Sequence, residues 1–304
     1  MSHHASRIRR PPLPWRERAG VRGMRRGMNH ALPAILLTAL LGLLSVPACA
    51  DNSSVENLPS SSGWINWDRQ VVKAVGHGIL PGDAQSEAQA ALMARSAAIA
   101  DAYRNLAMVI NGVRVTGETY VRNFVTESDE VRLKVEGFIR GAEIVSEKQL
   151  SDRSFEVILQ VPLVGEKGLV SELASELLPE ETAPPETTGD GPTGLIIDAR
   201  GLGVKPAISP KVYDEDGREV YGTVKVSPDF AIEVGIAAYP RSMDQALKSQ
   251  RTGARPLTVM ALRRGPKFAT DVIVSNSDAA RIREADRRTG ILPRCAVSIL
   301  LNPK

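Results

Sequence analysis

The alternation of apolar and polar positions divides the chain into two element-rich stretches with a polar one between them. Gln70–Leu80 (QVVKAVGHGIL) is rich in β-branched residues and ends at Pro81-Gly82-Asp83, which predicts a strand and a turn. Residues 84–110 predict the longest helix. Ala88, Leu92, Ile99, Tyr103, Leu106 and Ile110 recur at helical spacing and fall on one stripe. Alanine, the best helix former, fills much of the rest; Asp83 is the expected N-cap and Asn111-Gly112 the stop. At ~1.5 Å per residue such a helix runs roughly 40 Å, long enough to cross a sheet. Val113–Val121 alternates as a strand. Ser128–Phe138 reads as a shorter helix with Val131, Val135 and Phe138 inward, and Arg140–Glu147 and Phe155–Val164 as a hairpin about Ser151-Asp152-Arg153. A last helix covers roughly Leu169–Leu178. The order β-α-β-α-β-β predicts an α+β domain over residues 64–178, its long Ala-rich helix lying on a sheet.

Pro179–Pro192 (PEETAPPETTGDGP) almost lacks apolar residues and has the composition of an exposed acidic Pro/Thr linker. Beyond it, residues 193–304 predict a second, β-rich α+β domain. Gly194–Ala199 is a strand, and Lys211–Tyr213 and Glu219–Tyr221 form a hairpin with an Asp-Gly turn. Leu257–Leu262, Asp271–Val274 and Ala296–Leu301 add strands. Ser277–Arg288 is a charged helix capped by Ser277 or Asn276.

Ahead of both domains, residues 33–48 form an uncharged apolar run, preceded by Arg25 and Arg26 and followed by polar sequence. That is the pattern of a secretory signal peptide over residues 24–50, and the run is shorter than the ~20 apolar residues of a membrane-spanning helix. Two cleavage chemistries compete. Ala48-Cys49-Ala50 fits simple cleavage after Ala50, leaving Asp51 as the new N-terminus. Val46-Pro47-Ala48-Cys49 resembles a lipobox that would acylate Cys49, but Pro47 is unusual there, so simple cleavage is favoured. Residues 1–23 suit neither and read as a mis-annotated leader, with the true start at Met24 or Met28. Residues 51–63 read as a polar tether.

Charge changes meaning once that leader is set aside. The formal net charge of the chain is +3, but removing the eight arginines and one acid of residues 1–50 leaves 30 bases against 34 acids, a net of −4. A mildly acidic body has no electrostatic reason to seek nucleic acid or anionic lipid. The cysteines are Cys49 and Cys295, and the second lies in an apolar run as expected of a buried structural thiol.

Candidate chemistry is sparse. His77 is the one histidine after the leader, set between Gly76 and Gly78, which would let a ligand or another backbone approach; a structural role is favoured. No serine lies in a nucleophile elbow, and zinc spacing is absent. The segment most like a binding site is Asp198-Ala199-Arg200-Gly201-Leu202-Gly203, with an acid, a base and two glycines at a strand end. Its alternative is a turn with an internal ion pair. Asp214, Asp216 and Gly217 match part of a calcium loop, but the downstream glutamate spacing fails. No catalytic, cofactor-binding or metal-ligating set is assigned.

The helix segment Ala94–Leu106 (ARSAAIADAYRNL), Val113-Arg114-Val115, the run Val135-Glu136-Gly137-Phe138-Ile139-Arg140-Gly141-Ala142 and Phe155-Glu156-Val157 together resemble the Lpp20-like bacterial envelope lipoproteins. That family includes flagellar assembly proteins P and T, and the likeness spans about residues 94–164. It implies a small α+β domain used for assembly at the outer membrane or flagellar base, and it brings no catalytic residues. The expected function is a non-enzymatic, periplasmic or outer-membrane-associated assembly protein, with envelope proteins or further copies as partners and no cofactor. The alternative is a peptidoglycan- or partner-binding module using Asp198, Arg200, Gly201 and Gly203; a hydrolase comes third. For the leader, N-terminal sequencing of the exported protein is expected to begin at Asp51. A blocked, acylated Cys49 would transfer the protein to the lipoprotein route, and an intact Met24 would exclude both.

Overall fold

The computed structural model describes residues 54–58, 62–150, 153–179 and 189–303. The expected signal peptide over residues 24–50, with Cys49, Ala50 and the expected new N-terminus Asp51, and residues 180–188 of the linker, lie outside them. Residues from Cys49 onward form one compact unit.

The first half is a five-stranded antiparallel sheet in the order β1 (Val55–Asn57), β2 (Gly63–Asn66), β3 (Val71–Ile79), β5 (Ser154–Pro162), β4 (Glu143–Gln149). Alternation on β3 buries Val72, Ala74, Gly76 and Gly78 beneath helix α1 (Glu87–Asn111) and turns His77 and Ile79 to solvent. The cap of α1 is Ser86, whose hydroxyl accepts from the Gln89 amide at 3.2 Å, not Asp83.

The buried face of α1 is Ala90, Ala94, Ala98, Ala102, Asn105, Leu106, Val109 and Ile110. The expected stripe therefore holds at Leu106 and Ile110 and fails at Ala88 and Leu92, the latter 66% exposed. The cause is steric. A Cβ on Gly76 would stand 2.1 Å from the Ala102 amide nitrogen, and one on Gly78 2.0 Å from the Ala94 carbonyl oxygen. Backbone meets backbone there, and only alanine fits. Where β2 ends, α1 also completes the edge of β3: Asn105 Nδ2 donates to the Val75 carbonyl at 2.8 Å, and the His77 amide donates to Asp101 Oδ2 at 3.1 Å.

Val113–Val121 is not the expected strand. Only Arg114 and Tyr120 bridge, around a turn closed by Thr116 and Thr119, and Val121 already begins helix α2 (Val121–Glu127). The backbone there pairs with the second half of the molecule: the Ile208 amide donates to the Arg114 carbonyl at 3.0 Å and the Ser209 amide to the Val115 carbonyl at 2.7 Å. Helix α3 (Asp129–Arg140), capped by Ser128, runs through Arg140 and delays β4 to Glu143. Two short helices, α4 (Leu169–Glu172) and α5 (Ala174–Leu177), replace the single one expected.

The second half is a six-stranded mixed sheet in the order β11, β6, β9, β10, β7, β8. Its strands are β6 (Leu195–Asp198), β7 (Val212–Tyr213), β8 (Glu219–Tyr221), β9 (Leu257–Arg264), β10 (Val272–Val274) and β11 (Val297–Leu300). β11, β6 and β9 run parallel, and the β7–β8 hairpin turns at Gly217, whose φ is 79°. Helices α6 (Pro228–Val234) and α7 (Met243–Lys248) were not foreseen. Helix α8 (Asn276–Thr289) is capped by Ser275, not by Ser277 or Asn276 as expected, and buries Ala279, Ile282 and Ala285 in the main core. The class expected from sequence, α+β in both parts, is what the chain adopts.

The two halves share one core. Trp67 meets Tyr239 edge to face at 5.7 Å, and the Tyr239 hydroxyl donates to the Ala207 carbonyl at 2.7 Å while accepting from its amide at 3.1 Å. Arg114 pairs with Glu56 and donates Nε to the Pro206 carbonyl at 3.0 Å. Part of the expected tether is therefore structure: Val55–Asn57 is β1, and the buried Ser54 donates to the Tyr239 carbonyl at 2.6 Å and accepts from Arg241 Nε at 2.8 Å. Polarity misled here, because these polar groups bond across the seam and not to water.

Leu106→Ala is expected to destabilise by roughly 2–5 kcal/mol through a core cavity, whereas exposed Ala100→Ser stays within about 0.5 kcal/mol. Urea unfolding of both variants checks the stripe. Tyr239→Phe, which strips both Ala207 hydrogen bonds, is expected to cost about 1–3 kcal/mol; a neutral result in the same assay would remove this tyrosine from the seam.

Candidate functional site

The Asp198–Gly203 loop follows β6, at the carboxyl ends of the three parallel strands, the place where open sheets often bind ligands. Arg200 folds back on Asp198, donating Nε to Oδ1 at 2.9 Å and Nη2 to Oδ2 at 2.6 Å, with its own amide on Oδ1 at 3.1 Å. The Arg200 guanidinium holds the Asp198 carboxyl below its ordinary range. The arginine remains half exposed. Gly201 and Gly203 have φ of 80° and 67°, so both serve the left-handed turn, and the Gly201 amide donates to Asn302 Oδ1. The loop is thus the ion-paired turn that stood as its alternative. Its acid faces its own base and offers a ligand only the outer edge of Arg200.

The remaining sequence candidates separate in space. His77 is exposed on β3, and the backbone that its flanking glycines admit is that of α1. Asp214 is buried, accepts from the Arg218 amide at 2.8 Å and pairs with Arg283 at 2.9 Å, so the Asp-Gly hairpin is tied to α8 and is no cation loop. Among the described residues, no group of three or more acids, histidines or cysteines is placed to hold a metal ion. Cys295 is buried and its thiol is pushed up to about 11 by burial, which makes it inert at neutral pH. Nearby, Arg251 donates to the carbonyls of Gly235 and Cys295, both at 2.7 Å, and to that of Val234. Those acceptors include the carboxyl end of α6, where partial negative charge suits a buried cation.

The feature that sequence reasoning missed lies in the first half. A cleft of about 490 Å³ is lined by Gly137 and Gly141, by Phe138, Val161 and Pro162, and by Glu143, Glu166, Lys167 and Glu172 among others. Both glycines come from the Val135–Ala142 run. Gly137 sits in the last turns of α3, and a Cβ built on it meets nothing within 4 Å. Gly141 caps α3 with φ of −78°, so no left-handed backbone calls for glycine there. Gly137 thus leaves the cleft open and relieves no crowding, whereas a Cβ on Gly141 would press on the Phe138 carbonyl oxygen at 3.3 Å. The available signal was a glycine within a helix, where it costs about 1 kcal/mol relative to alanine. Three carboxylates against one lysine make the lining acidic.

Residues 80–162 match the family model of the LPP20 lipoproteins. Residues 194–303 match that of the second domain of Treponema pallidum Tp0624. No curated protein matches the chain. The stretch whose resemblance was read from sequence falls almost wholly within the first match, which also takes in the whole of α1, α2, α3, β4 and β5. Residues 80–162 are thus similar to the LPP20 lipoproteins, and residues 194–303 to the second domain of Tp0624.

Proposed function

We propose that the protein is a non-enzymatic assembly component of the bacterial envelope, engaging a partner through the acidic cleft of its LPP20-like domain. The observation that carries this reading is Gly137: a helix position that accepts a propensity cost, relieves no crowding and keeps a cleft open. The match to a lipoprotein family supports an envelope location. The resemblance to flagellar assembly proteins P and T makes the flagellar base one place to look, and swimming of a deletion strain tests it. Lining carboxylates Glu143, Glu166 and Glu172 favour a partner segment bearing lysine or arginine. The wall-binding alternative at the Asp198–Gly203 loop is less favoured, since Arg200 and Asp198 satisfy each other.

Two substitutions at one position test the proposal. Gly137→Ala is expected to raise stability by up to about 1 kcal/mol, because alanine is the better helix former and meets open space, while its methyl takes up part of the cleft and lowers partner recovery less than a larger side chain does. Gly137→Gln keeps the helix but fills the cleft, and is expected to lose the partner in a crosslinked pull-down from intact envelopes. Equal recovery with both variants would remove the cleft from the function. His77→Gln provides the enzymatic control: it is expected to fold, be exported and complement a deletion strain like the parent. Normal folding with failed complementation would reopen a hydrolase centred on that side chain.

A further inference from the structure

A cleft of about 330 Å³ lies between the β7–β8 turn and the turn that joins β9 to β10. The sheet supplies its floor. Ile273 of β10 stands opposite Tyr213 of β7 and Arg263 of β9, so these three share one face. Asp271, two residues before Ile273, belongs to the same face and stands opposite Gly265, whose amide donates to the Asp271 carbonyl at 2.7 Å. A Cβ on Gly265 would stand 2.8 Å from the Asp271 Cβ, so the carboxyl needs a glycine across from it. The first half of the chain fixes the β9–β10 turn. Lys267 pairs with Glu118 while lying over the Phe268 ring at 4.8 Å, and a Cβ on Gly117 would stand 2.2 Å from the Phe268 Cβ.

Two charged groups of this cleft are unspent. Asp271 is 5% exposed; its Oδ1 accepts from the Lys211 amide at 3.3 Å and the Thr270 hydroxyl at 2.9 Å, and its Oδ2 has no partner among the described residues. Lys211 Nζ bonds Glu219 at 3.1 Å and leaves the Asp271 carboxyl without a cation in contact. Burial accordingly pushes that carboxyl up. Arg263 is exposed and has no ion pair or hydrogen bond among the described residues. The other acids of the lining are engaged: Asp214 by Arg283 and the Arg218 amide, Glu215 by the Asn276 amide. A buried carboxylate with an open oxygen calls for a donor from outside, and a free arginine on the same face for an anion. Asp271 and Arg263 are diagonal neighbours on antiparallel strands, ~7–8 Å apart, so one small molecule can reach both.

We propose that this cleft binds a free α-amino acid with an apolar side chain, its ammonium group on Asp271 Oδ2, its carboxylate on the Arg263 guanidinium and its side chain against Ile273 and Phe268. One open acid and one open base on a shared face select a zwitterion. A plain cation would leave Arg263 unanswered, and a plain anion would meet the buried carboxylate. The site is separate from the acidic cleft of the first half and does not depend on the function proposed there.

Saturation-transfer NMR on the chain from Asp51, with L-leucine, L-methionine and L-phenylalanine each at millimolar concentration, tests the proposal. At least one is expected to bind saturably. Its N-acetyl derivative, which lacks the ammonium group, and its amide, which lacks the carboxylate, are each expected to bind weaker by about tenfold or more. Arg263→Gln and Asp271→Asn are expected to weaken the amino acid by a similar factor. Arg263 is exposed, and asparagine keeps the acceptor that Lys211 and Thr270 use, so urea unfolding of both variants is expected to follow the parent. Failure of all three amino acids to bind overturns the proposal, as does undiminished binding by either variant. An amide that binds like its parent would make this a site for a cation alone, and an N-acetyl derivative that does so a site for an anion alone; either result overturns it too.

Discussion

The contact of α1 with β3 governs the LPP20-like domain. Helix and strand touch through backbone at Gly76 and Gly78, against Ala94, Ala98 and Ala102. So close an approach excludes large side chains from the first turns and moves them to the carboxyl end, where Leu106, Val109 and Ile110 join Trp67, Val113, Val121 and Val135 in the core. The same proximity lets Asp101 and Asn105 reach the strand edge and occupy backbone groups that β2 is too short to pair. Burying those groups unpaired would be costly, so the two polar residues belong to the helix's inner face as much as the alanines do.

Much of this was legible in the chain before any coordinates. The long helix, the β4–β5 pairing, the β7–β8 hairpin at Gly217 and the closing strand all follow from periodicity and turn chemistry. The failures have a common cause. Leu92 looks inward because large apolar side chains are ordinarily buried, but here the sheet admits only methyl groups. Val113–Val121 has strand character, but its backbone partners lie at Ile208 and Ser209, nearly a hundred residues away. Ser54–Asn57 looks like tether because its polarity serves Tyr239, Arg241 and Arg114, none of them visible locally.

The candidate site was less legible than the fold. An acid and a base beside two glycines is a binding motif or a self-satisfied turn, and sequence does not separate them; the Asp198–Arg200 geometry does. Glycines divide in the same way. Gly76 and Gly78 allow contact, Gly201 and Gly203 allow a turn, and Gly137 keeps a surface empty. Only the neighbours of the missing Cβ tell these roles apart, which is why the run carrying the family likeness did not announce the cleft it forms.

The seam between the halves also has a consequence in time. Ser54 bonds the Tyr239 carbonyl across 185 positions of sequence. A chain that emerges amino end first presents β1 and β2 long before the segment that buries them exists. Throughout that interval Trp67 lacks its aromatic neighbour and Ser54 its acceptor, so the core these strands join stays open. Completion waits for the last third of the polypeptide. A chain interrupted between its two domains would therefore arrive with an unfilled core, a state apt to be taken up by proteases or holding chaperones.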